Sequence, residues 1–354
     1  MAQVTLKDVA RAAGVHFTTV SLALRNSPSI PESTRERIRK IADRMGYVAN
    51  PIYAALTRRR QRSGGVVRPP RLAYLVNRPP ELGYRQLPHH PLILKGARRQ
   101  ATALGYELEV LFVDELHYTS EKLAAHLKKE DINGFIIAGF EPGLSGLMLD
   151  WSQFSIVKID SLHREPAVSL VTNDQERILR MVFQKLRGLG YRKIGLAVGR
   201  ADDACTNRRY TGGWLIEQVR LDPAERVPPL LFPYNPKRED VVQLLRRWGE
   251  MHKIDAVIST WNTIDEVLRA AGFSVPDEVA AACLCLGEQD TGVSGAVANL
   301  EVVGAQAVSV LAQQIRAGKK GVSQFPTTTL IPGEWRDGNT TPPKHSEQYA
   351  EVEA

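Results

Sequence analysis

The stretch from Thr5 to Tyr47 constrains this chain most, because it predicts three short helices in a single small unit. Apolar residues recur at helical spacing over 6–13, and Gly14 then supplies a residue suited to a tight turn. A second helix is predicted over 17–24 and a third from Pro31 to Gly46. Two helices joined by a glycine-containing turn, the second opening with small polar residues, are typical of a helix-turn-helix DNA reader. A three-helix bundle with no role on DNA is the alternative.

The charge of the chain is unevenly placed. Residues 1–71 hold 14 Lys/Arg and 4 Asp/Glu, a net charge of +10, which leaves −3 for the remainder of a chain whose total is +7. A basic segment on a mildly acidic remainder is the electrostatic pattern of a protein that binds a phosphate backbone. A basic but merely solvated surface would not explain this segregation.

Length and composition exclude several classes of protein. A chain of 354 residues with 43% hydrophobic and 24% charged residues is typical of a soluble protein of two or three domains. No apolar run could span a bilayer and no signal-peptide core follows Met1, so we expect a cytoplasmic, nucleoid-associated protein without a membrane partner. Cys205, Cys283 and Cys285 fit a reducing compartment and are expected to be buried thiols, with no metal or cofactor bound.

The segment that follows the three helices reads as a hinge and a linker. Asn50 is a suitable cap for a helix from Pro51 to Arg58, which at about two turns is too short to be stable alone in water. We therefore expect this helix to order only on DNA or against a partner. The Ser-Gly-Gly at 63–65 and the prolines at 69–70 then predict a domain boundary.

The rest of the chain alternates strand and helix patterns, which predicts βαβ units, parallel sheets and two similar α/β halves. Ligands bind such sheets at the carboxyl ends of the strands. The predicted strands are 71–76, 106–113, 134–140, 155–160, 193–199, 229–234, 254–260, 279–287 and 327–335. The predicted helices are 91–105, 120–129, 176–190, 210–220, 238–251, 263–272 and 301–318.

Several segments resemble one family closely. TLKDVARAAGV, TTVSLAL and TRERIRKIADRMGY are similar, nearly position for position, to the headpiece of the lactose-repressor/galactose-repressor (LacI/GalR) family of transcriptional regulators. NDQERILRMVFQKLRGLGYRKIGLAVG, RYTG, GFSVPDEVA and PGEWRDGNTTP resemble segments of the family's body in the same order, so that the resemblance covers about 1–340. It implies an N-terminal all-α helix-turn-helix headpiece and an α/β body with two lobes of parallel sheet, like a type I periplasmic binding protein.

The resemblance also implies a division of the chain. The headpiece would occupy 1–49, the hinge helix and linker 50–70, the effector-binding and dimerisation domain 71–342, and a C-terminal tail 343–354. In the family, hinge helices pair across a homodimer and one leucine from each copy enters the minor groove. Leu56 is the matching residue here. Unstacking a base step costs a few kcal/mol, which the contacts made on the kinked duplex offset.

We expect DNA contacts from the second helix, its flanks and the hinge. Phe17, Thr18 and Ser21 would face base edges, whereas phosphates would be faced by Thr5, Asn26 and Tyr47. The family commonly has a guanine-reading arginine where this chain has Leu22, which can touch a thymine methyl but cannot make that bidentate pair, so we expect a different operator preference. The full predicted set is Thr5, His16, Phe17, Thr18, Ser21, Leu22, Arg25, Asn26, Tyr47, Asn50, Tyr53 and Leu56.

For a small-molecule effector, the resemblance and the strand ends point to polar and aromatic residues of the body. Arg209 has a planar donor fork that suits vicinal sugar hydroxyls or a carboxylate, although a surface ion pair is the alternative. Trp261 could stack on a sugar face. Cys285 stands where the family usually has a ligand-binding aspartate, which counts against recognition of an ordinary sugar. The predicted set is Asn77, Asp160, Arg209, Trp261, Asn262 and Cys285, with Asn173 and Asp174 as weaker candidates.

No catalytic motif is present, and His89 and His90 are expected in a loop. We interpret the chain as a non-enzymatic transcription regulator, most consistent with a repressor, that binds a pseudo-palindromic operator as a homodimer. A sugar-like small molecule in the cleft between the lobes would control it. A sugar-binding transport or sensing protein without a specific role on DNA is the alternative, and an enzyme on the same fold is a third reading.

Overall fold

A computed structural model describes residues 6–24, 29–45, 47, 69–76, 90–113, 120–138, 149–159, 166–234, 236–287, 290 and 292–344. The chain divides into two compact units, and apart from residues 104–107 the division falls between Pro70 and Arg71. The predicted hinge helix lies outside the described residues. So do these predicted site residues: Thr5, Arg25, Asn26, Asn50, Tyr53, Leu56, Asn77 and Asp160.

The headpiece consists of the three predicted helices, α1 (Leu6–Ala13), α2 (Phe17–Leu24) and α3 (Glu32–Arg44). Gly14 has a φ of 64°, a left-handed conformation that favours glycine, and so lets the chain turn directly from α1 into α2. The backbone N–H of Val15 closes the turn by donating to the carbonyl of Ala10 at 3.1 Å. The helix-turn-helix predicted from the sequence is therefore confirmed.

The core of the headpiece is built from small and medium-sized side chains of all three helices. Leu24, Ile41 and Met45, which are only partly buried, pack against it together with Tyr47. The buried members are Val9, Ala10, Ala13, Val20, Ala23, Ile38 and Ala42. Alanines at these positions let the helices approach closely, and a unit with so few large buried side chains has little apolar area from which to gain stability.

The body alternates strands and helices as predicted. Its strands are β1 (Arg71–Val76), β2 (Glu107–Phe112), β3 (Gly134–Ile137), β4 (Ser155–Ile159), β5 (Ser169–Asn173), β6 (Ile194–Gly199), β7 (Leu230–Phe232), β8 (Ala256–Ser259), β9 (Ala280–Leu286), β10 (Ser294–Val297), β11 (Thr328–Ile331) and β12 (Glu334–Arg336). Its helices are α4 (His90–Ala103), α5 (Ser120–Lys129), α6 (Gln175–Gly188), α7 (Arg200–Cys205), α8 (Arg209–Val219), α9 (Arg238–His252), α10 (Ile264–Ala270) and α11 (Leu300–Arg316).

The strands form two six-stranded sheets, each the centre of one lobe. The first has the order β11-β5-β4-β3-β1-β2 and the second the order β12-β10-β9-β8-β6-β7. In the second sheet β7, β6, β8, β9 and β10 pair in parallel, and only β12 pairs antiparallel with its neighbour β10. Helix α11 packs on α4 of the first lobe, where a Cβ on Gly96 would lie 1.9 Å from the carbonyl oxygen of Glu301. A glycine at this position is therefore required by the closeness of the two helices.

Several predictions about the body were wrong. The segment 327–335 is not one strand: it holds β11, which joins the first sheet, and β12, which joins the second, with a break at Pro332 and Gly333. The strands at 169–173 and 294–297 and the helix at 200–205 were not predicted, because they are short and lack a clear apolar period. The other predicted elements are present, with ends that differ by at most three residues.

The chain crosses between the lobes three times, after β5, after β10 and between β11 and β12. Side chains tie these crossings together. Asn173 Nδ2 donates to the carbonyl of Ala298, and Asn299 Nδ2 donates to the carbonyl of Pro332 at 3.0 Å. Asn299 itself has a φ of 53°, which asparagine tolerates better than most residues. The three crossings thus form one hydrogen-bonded hinge.

The end of the described chain docks on the second lobe. The backbone N–H of Lys344 donates to the carbonyl of Leu189, and its ammonium lies 3.1 Å from Asp255 Oδ2 and 5.2 Å from the centre of the Tyr191 ring. Lys344 therefore contacts the second lobe, although the sequence placed it in the C-terminal tail. Among the described helices, none is long and apolar enough to cross a membrane.

Candidate functional sites

The first turn of α2 presents three exposed side chains to one side of the headpiece. Phe17 is 44% exposed, and its ring centre lies 4.4 Å from that of His16. His16 Nδ1 lies 2.8 Å from Thr18 Oγ1 and accepts from the backbone N–H of Thr18 at 3.5 Å. His16 therefore caps the start of α2 from its side chain and holds the aromatic ring beside Phe17. The structure brings these three predicted residues together.

The back of α2 is fixed by the headpiece core. Val20 and Ala23 are fully buried, whereas Ser21 and Leu22 are half-buried on the flank of the helix. Arg37 Nη1 donates to the carbonyl of Ala13 at 3.1 Å and so ties α3 to the end of α1. A short helix with a buried back and an exposed first turn can enter a major groove without rearranging.

In the second lobe, Asp202 joins the ends of two neighbouring strands. It lies in the first turn of α7, directly after β6, and its Oδ2 accepts from Thr260 Oγ1 at 2.9 Å and from Trp261 Nε1 at 3.3 Å. Thr260 and Trp261 follow the end of β8. Asp202 was not among the residues predicted from the sequence. The available signal was its position just past a buried strand, at the sheet edge where ligands bind.

Trp261 is held as a half-buried aromatic surface. Its ring is stacked on Phe232 at 4.9 Å and 12°, and its indole N–H is taken by Asp202. Stacking on one face and a hydrogen bond at the edge leave the ring one orientation. Phe232, the last residue of β7, was also missed as a supporting residue.

The loop after β9 is fastened to the same edge. Asn262 Nδ2 donates to Asp290 Oδ1 at 2.9 Å, and the backbone N–H of Gly287 donates to Asp290 Oδ2 at 2.7 Å. Arg336 on β12 donates from Nη1 to the carbonyl of Gly287 at 3.0 Å and from Nη2 to the carbonyl of Asp290. Asn262, a predicted effector residue, is thus committed to holding this loop.

Arg209 is the first residue of α8, a helix that packs on α6 and whose first turn is tied to α7. The buried carboxylate of Asp203 accepts from the backbone N–H of Thr211 at 3.0 Å and from its hydroxyl at 2.6 Å. This pair fixes the first turn of α8 beside the first turn of α7. The Arg209 side chain is half-buried, and its guanidinium makes no hydrogen bond or ion pair with any described residue.

Two of the cysteines lie on β9 in the second sheet. Cys283 is fully buried, and burial, with a smaller contribution from Asp290, raises the pKa of its thiol to about 12. Cys285 is also buried, near the carboxyl end of the strand, whereas Cys205 is half-buried. The buried position expected for Cys283 and Cys285 is confirmed. Within the described ranges no group of three or more His, Cys, Asp or Glu side chains could hold a metal ion.

Three further sequence candidates have structural positions. Asn173 is engaged at the interlobe hinge, and Asp174 caps α6 by accepting from the backbone N–H of Arg177 at 3.2 Å. The expectation that His90 lies in a loop was wrong: it is the first residue of α4, is buried, and lies with its Nδ1 3.4 Å from the hydroxyl of Tyr74. A histidine between prolines reads as loop, but Pro91 is accommodated in the first turn of the helix.

Comparison with protein families matches two parts of the chain. Residues 5–50 match the model of bacterial regulatory proteins of the lacI family. Residues 82–218 match the model of periplasmic binding proteins and the sugar-binding domain of the LacI family. The first match contains the whole helix-turn-helix, and the second contains most of the first lobe and the Arg209 turn.

Curated relatives are transcriptional regulators. The chain is 26% identical over 205 residues to the HTH-type transcriptional regulator DegA of Bacillus subtilis, covering 57% of this chain and 54% of DegA. It is 27% identical over 233 residues to the HTH-type transcriptional regulator TreR of Escherichia coli, covering 64% of this chain and 68% of TreR. The chain therefore spans about half of the first relative and two thirds of the second.

Solved structures share the fold of the chain. The complex of the transcriptional regulator CelR with cellobiose has a TM-score of 0.57 and 19% identity, covering 96% of this chain and all of that one. The lac repressor dimer bound to operator and the anti-inducer ONPF has a TM-score of 0.56 and 17% identity, with the same coverage. At these identities the likeness concerns the fold.

A helix-turn-helix headpiece followed by two lobes of mainly parallel sheet defines the chain as a helix-turn-helix protein with a type I periplasmic-binding-protein-like body. The two matching family models, one for each part, agree with this architecture. The chain belongs to the LacI family of bacterial regulatory proteins.

Proposed function

We propose that this protein is a sequence-specific DNA-binding transcription regulator, a repressor that acts as a homodimer on a pseudo-palindromic operator. The observation that carries the proposal is the first turn of α2, where His16, Phe17 and Thr18 are exposed on a helix whose back is buried. The net charge of +10 over residues 1–71 supplies attraction to phosphates that is independent of sequence. Two headpieces related by a dimer axis would double both kinds of contact.

Each part of the chain would have a separate role in binding. Headpiece residues 1–49 would read base edges and phosphates, and the hinge and linker at 50–70 would place Leu56 in the minor groove. The body at 71–342 would bind a small-molecule effector and the partner subunit. Among the described residues of the second lobe, Arg209 and Trp261 are the proposed effector contacts, and Cys285 is a predicted contact at the end of the neighbouring strand.

Effector binding would act through the hinge between the lobes. The three crossings are held by Asn173 and Asn299, so a change in the angle between the lobes has to move all three together. A ligand can shift such an equilibrium only by its preference for one of the two lobe arrangements. We propose that this preference sets the affinity of the headpieces for the operator.

The relatives are named as transcriptional regulators, and we propose that this chain likewise works by binding and not by catalysis. It would act in the cytoplasm, where the operator DNA is. The alternative from the sequence, a sugar-binding protein without a specific role on DNA, leaves the exposed first turn of α2 without a purpose.

Selection of duplexes from a random pool by the full-length protein tests the proposal. We expect enrichment of a sequence with twofold symmetry, and a bound stoichiometry of two chains per duplex in analytical ultracentrifugation. A pool that stays random after repeated rounds, with and without a library of sugars, would refute the proposed function. The symmetry and the stoichiometry test the homodimer separately from the DNA reading.

A further inference from the structure

We propose that the outer face of helix α8 is a docking surface, and that residues 345–354 of the same chain occupy it. Four exposed positions of α8, spaced at i, i+3, i+4 and i+7, form this face, the α8 stripe. They are Gly212, Leu215, Ile216 and Val219. The inference is independent of the proposed function, and its test needs no DNA.

The α8 stripe is apolar although it faces outward. Leu215 is 52%, Ile216 is 40% and Val219 is 74% exposed, and a Cβ on Gly212 would have no heavy atom within 4 Å. The inner face of the same helix is already buried, for example by Trp214, which is fully buried. A surface helix normally carries polar residues on its outer face, so an outer face of apolar residues indicates a contact with another segment.

Arginines lie at both ends of the stripe. Arg226 donates from its guanidinium to the carbonyls of Val219 and Leu221, at 3.4 and 3.0 Å, and so holds a positive charge at the C-terminal end of α8. No arginine in this stretch forms an ion pair with a described residue. The four are Arg208, Arg209, Arg220 and Arg226.

Acidic residues compensate little of this charge. Between residues 208 and 226, Glu217 is paired with Arg180 on α6, and Glu225 is paired with Arg187. Asp222 is the one carboxylate of this stretch that forms no ion pair. Four arginines against one aspartate leave a net charge of +3 around an apolar centre, which favours an occupant that is both apolar and acidic.

A second copy of the chain does not meet these requirements. Two stripes packed antiparallel would bring Arg220 of each copy towards Arg208 of the other, and parallel packing would bring identical arginines together. Three exposed apolar side chains also fall far short of the roughly 800 Å² that each partner buries in a stable complex. A tethered segment needs less area, because its attachment gives an effective concentration on the order of millimolar.

Lys344 holds the start of the tail at the edge of the second lobe where α8 ends. Its backbone N–H donates to the carbonyl of Leu189, directly after α6, and α6 packs along α8. At the same edge Lys193 Nζ donates to the carbonyl of Ala224, just beyond α8. Ten further residues can reach about 33–36 Å, whereas the 11 residues of α8 are roughly 16 Å long. The tail is therefore long enough to follow the whole stripe.

The sequence of the tail matches the chemistry of the stripe. Residues 345–354, HSEQYAEVEA, lie outside the described residues and hold three glutamates and no lysine or arginine, a net charge of −3 with histidine neutral. Tyr349 and Val352 stand among these glutamates. Opposite charge at both ends and apolar side chains between them are what the stripe requires.

Photo-crosslinking of the full-length protein tests the proposal. In Tyr349→p-benzoylphenylalanine the new side chain keeps an aromatic ring and, on irradiation, forms a covalent bond with a neighbouring C–H group. We expect mass spectrometry to find the crosslink on the peptide that contains Leu215, Ile216 and Val219. Mixing isotopically labelled and unlabelled chains before irradiation distinguishes a crosslink within one chain from a crosslink between two copies.

Variants with matched controls locate the contact. Val219→Asp places a negative charge on the stripe and should lower the yield of this crosslink roughly fivefold or more. Met251→Asp is the control, because Met251 is 75% exposed on α9, outside the stripe, and its substitution should leave the yield unchanged. Both positions are exposed, so thermal melts should show the same Tm for both variants and the wild type.

Three results would each overturn the proposal. The first is a crosslink that forms elsewhere on the protein, or no crosslink at all. The second is a crosslink to the α8 stripe of another copy, which would make a second chain the source of the occupant. The third is a yield in Val219→Asp equal to that in Met251→Asp, which would mean that the tail passes near α8 without binding to the stripe.

Discussion

The headpiece and the second lobe present their candidate contact residues in different ways. In the headpiece Phe17, the first residue of α2, is 44% exposed, and its ring lies beside that of His16. In the second lobe Trp261 is half-buried, stacked and hydrogen-bonded, within a network that links three strand ends. A duplex is a large preformed surface that a rigid helix can meet from outside. A small ligand has to be surrounded, and its contact residues therefore need support from behind.

The two regions also differ in charge. The first 71 residues carry +10, whereas the rest of the chain carries −3. At the strand ends of the second lobe, by contrast, individual hydrogen bonds such as that from Thr260 to Asp202 hold the side chains in defined positions. We therefore expect long-range, salt-sensitive attraction in the headpiece and short-range, geometry-sensitive binding in the body.

The largest expected effect is that of salt. If the headpieces of a dimer neutralise six to ten phosphates, operator affinity should fall by about 10³ to 10⁵ between 50 and 200 mM KCl, because bound counter-ions are released. Effector affinity should change far less over the same range, because it depends on few charges at short distance. Fluorescence anisotropy for the operator and calorimetry for the effector measure both. If operator affinity and effector affinity depended equally on salt, the headpiece and the body would not differ in their mode of binding.

The second largest effect is expected from a substitution in the core of the headpiece. Ile38 is fully buried between the three helices, so Ile38→Ala should cost about 2–5 kcal/mol of headpiece stability. Operator binding should be lost while the main melting transition and effector binding remain. Ile258→Ala, on the buried strand β8, is the matched change in the body and should lower the main transition by a similar free energy. If Ile38→Ala lowers the main transition as much, the two regions do not fold independently.

The sequence predicts the secondary structure of the headpiece more completely than that of the body. The bounds of α1 and α2 follow from local signals, namely apolar spacing and one glycine at positive φ, so they agree with the structure residue for residue. The body's alternation predicts two parallel sheets, but β5 and β10 are short strands whose place depends on neighbours distant in sequence. The segment 327–335 shows where prediction from local sequence fails, because no local sequence pattern indicates that its two halves pair with different sheets.

The candidate site shows the same limit. Trp261 can be selected from its residue type and its position after a strand, and Arg209 from its residue type and the family resemblance of the RYTG segment. Asp202 becomes visible only when the ends of β6 and β8 are seen side by side, because its partners Thr260 and Trp261 are almost 60 residues away. Long-range hydrogen bonds between strand ends leave no period in the sequence.

The exposed aromatic of α2 should have a moderate effect. Phe17→Ala removes a contact to base edges, for which one base-specific interaction is worth about 1–3 kcal/mol, so operator affinity should fall roughly 5- to 150-fold. Tm should stay within about a degree, because the side chain is largely outside the core. Anisotropy titrations and thermal melts give the two numbers.

The matched control for Phe17 is Phe325, a 79% exposed phenylalanine in the body. Phe325→Ala should leave operator affinity unchanged. A loss of affinity in Phe325→Ala equal to that in Phe17→Ala would show that exposed aromatics act nonspecifically, and would remove the base-reading role from α2.

The smallest expected effect is a difference in alkaline stability that belongs to the second lobe. Tyr191 is buried and donates from its hydroxyl to the carbonyl of Pro342 at 2.6 Å. Burial, and then the nearby carboxylate of Asp255, raises its pKa from 10.0 to about 12. Below pH 10 the phenol is protonated in both states and its stabilising contribution is complete. Between pH 10 and 12 the unfolded chain ionises first, so stability falls as the pH rises.

Tyr191→Phe removes this titration, so its stability should fall less steeply than that of the wild type over pH 10–12. At neutral pH the variant should be less stable by about 1 kcal/mol, since one hydrogen bond is lost. Urea unfolding followed by tryptophan fluorescence at several pH values measures both differences.

Burial also raises the pKa of Cys283 to about 12, but wild type and variant share that contribution and their difference reports on Tyr191 alone. Tyr234→Phe, at a 59% exposed tyrosine of the same lobe, should reproduce the wild-type slope. A slope in Tyr191→Phe as steep as that of the wild type would mean that this phenol does not couple to folding, and that the alkaline sensitivity of the second lobe has another source.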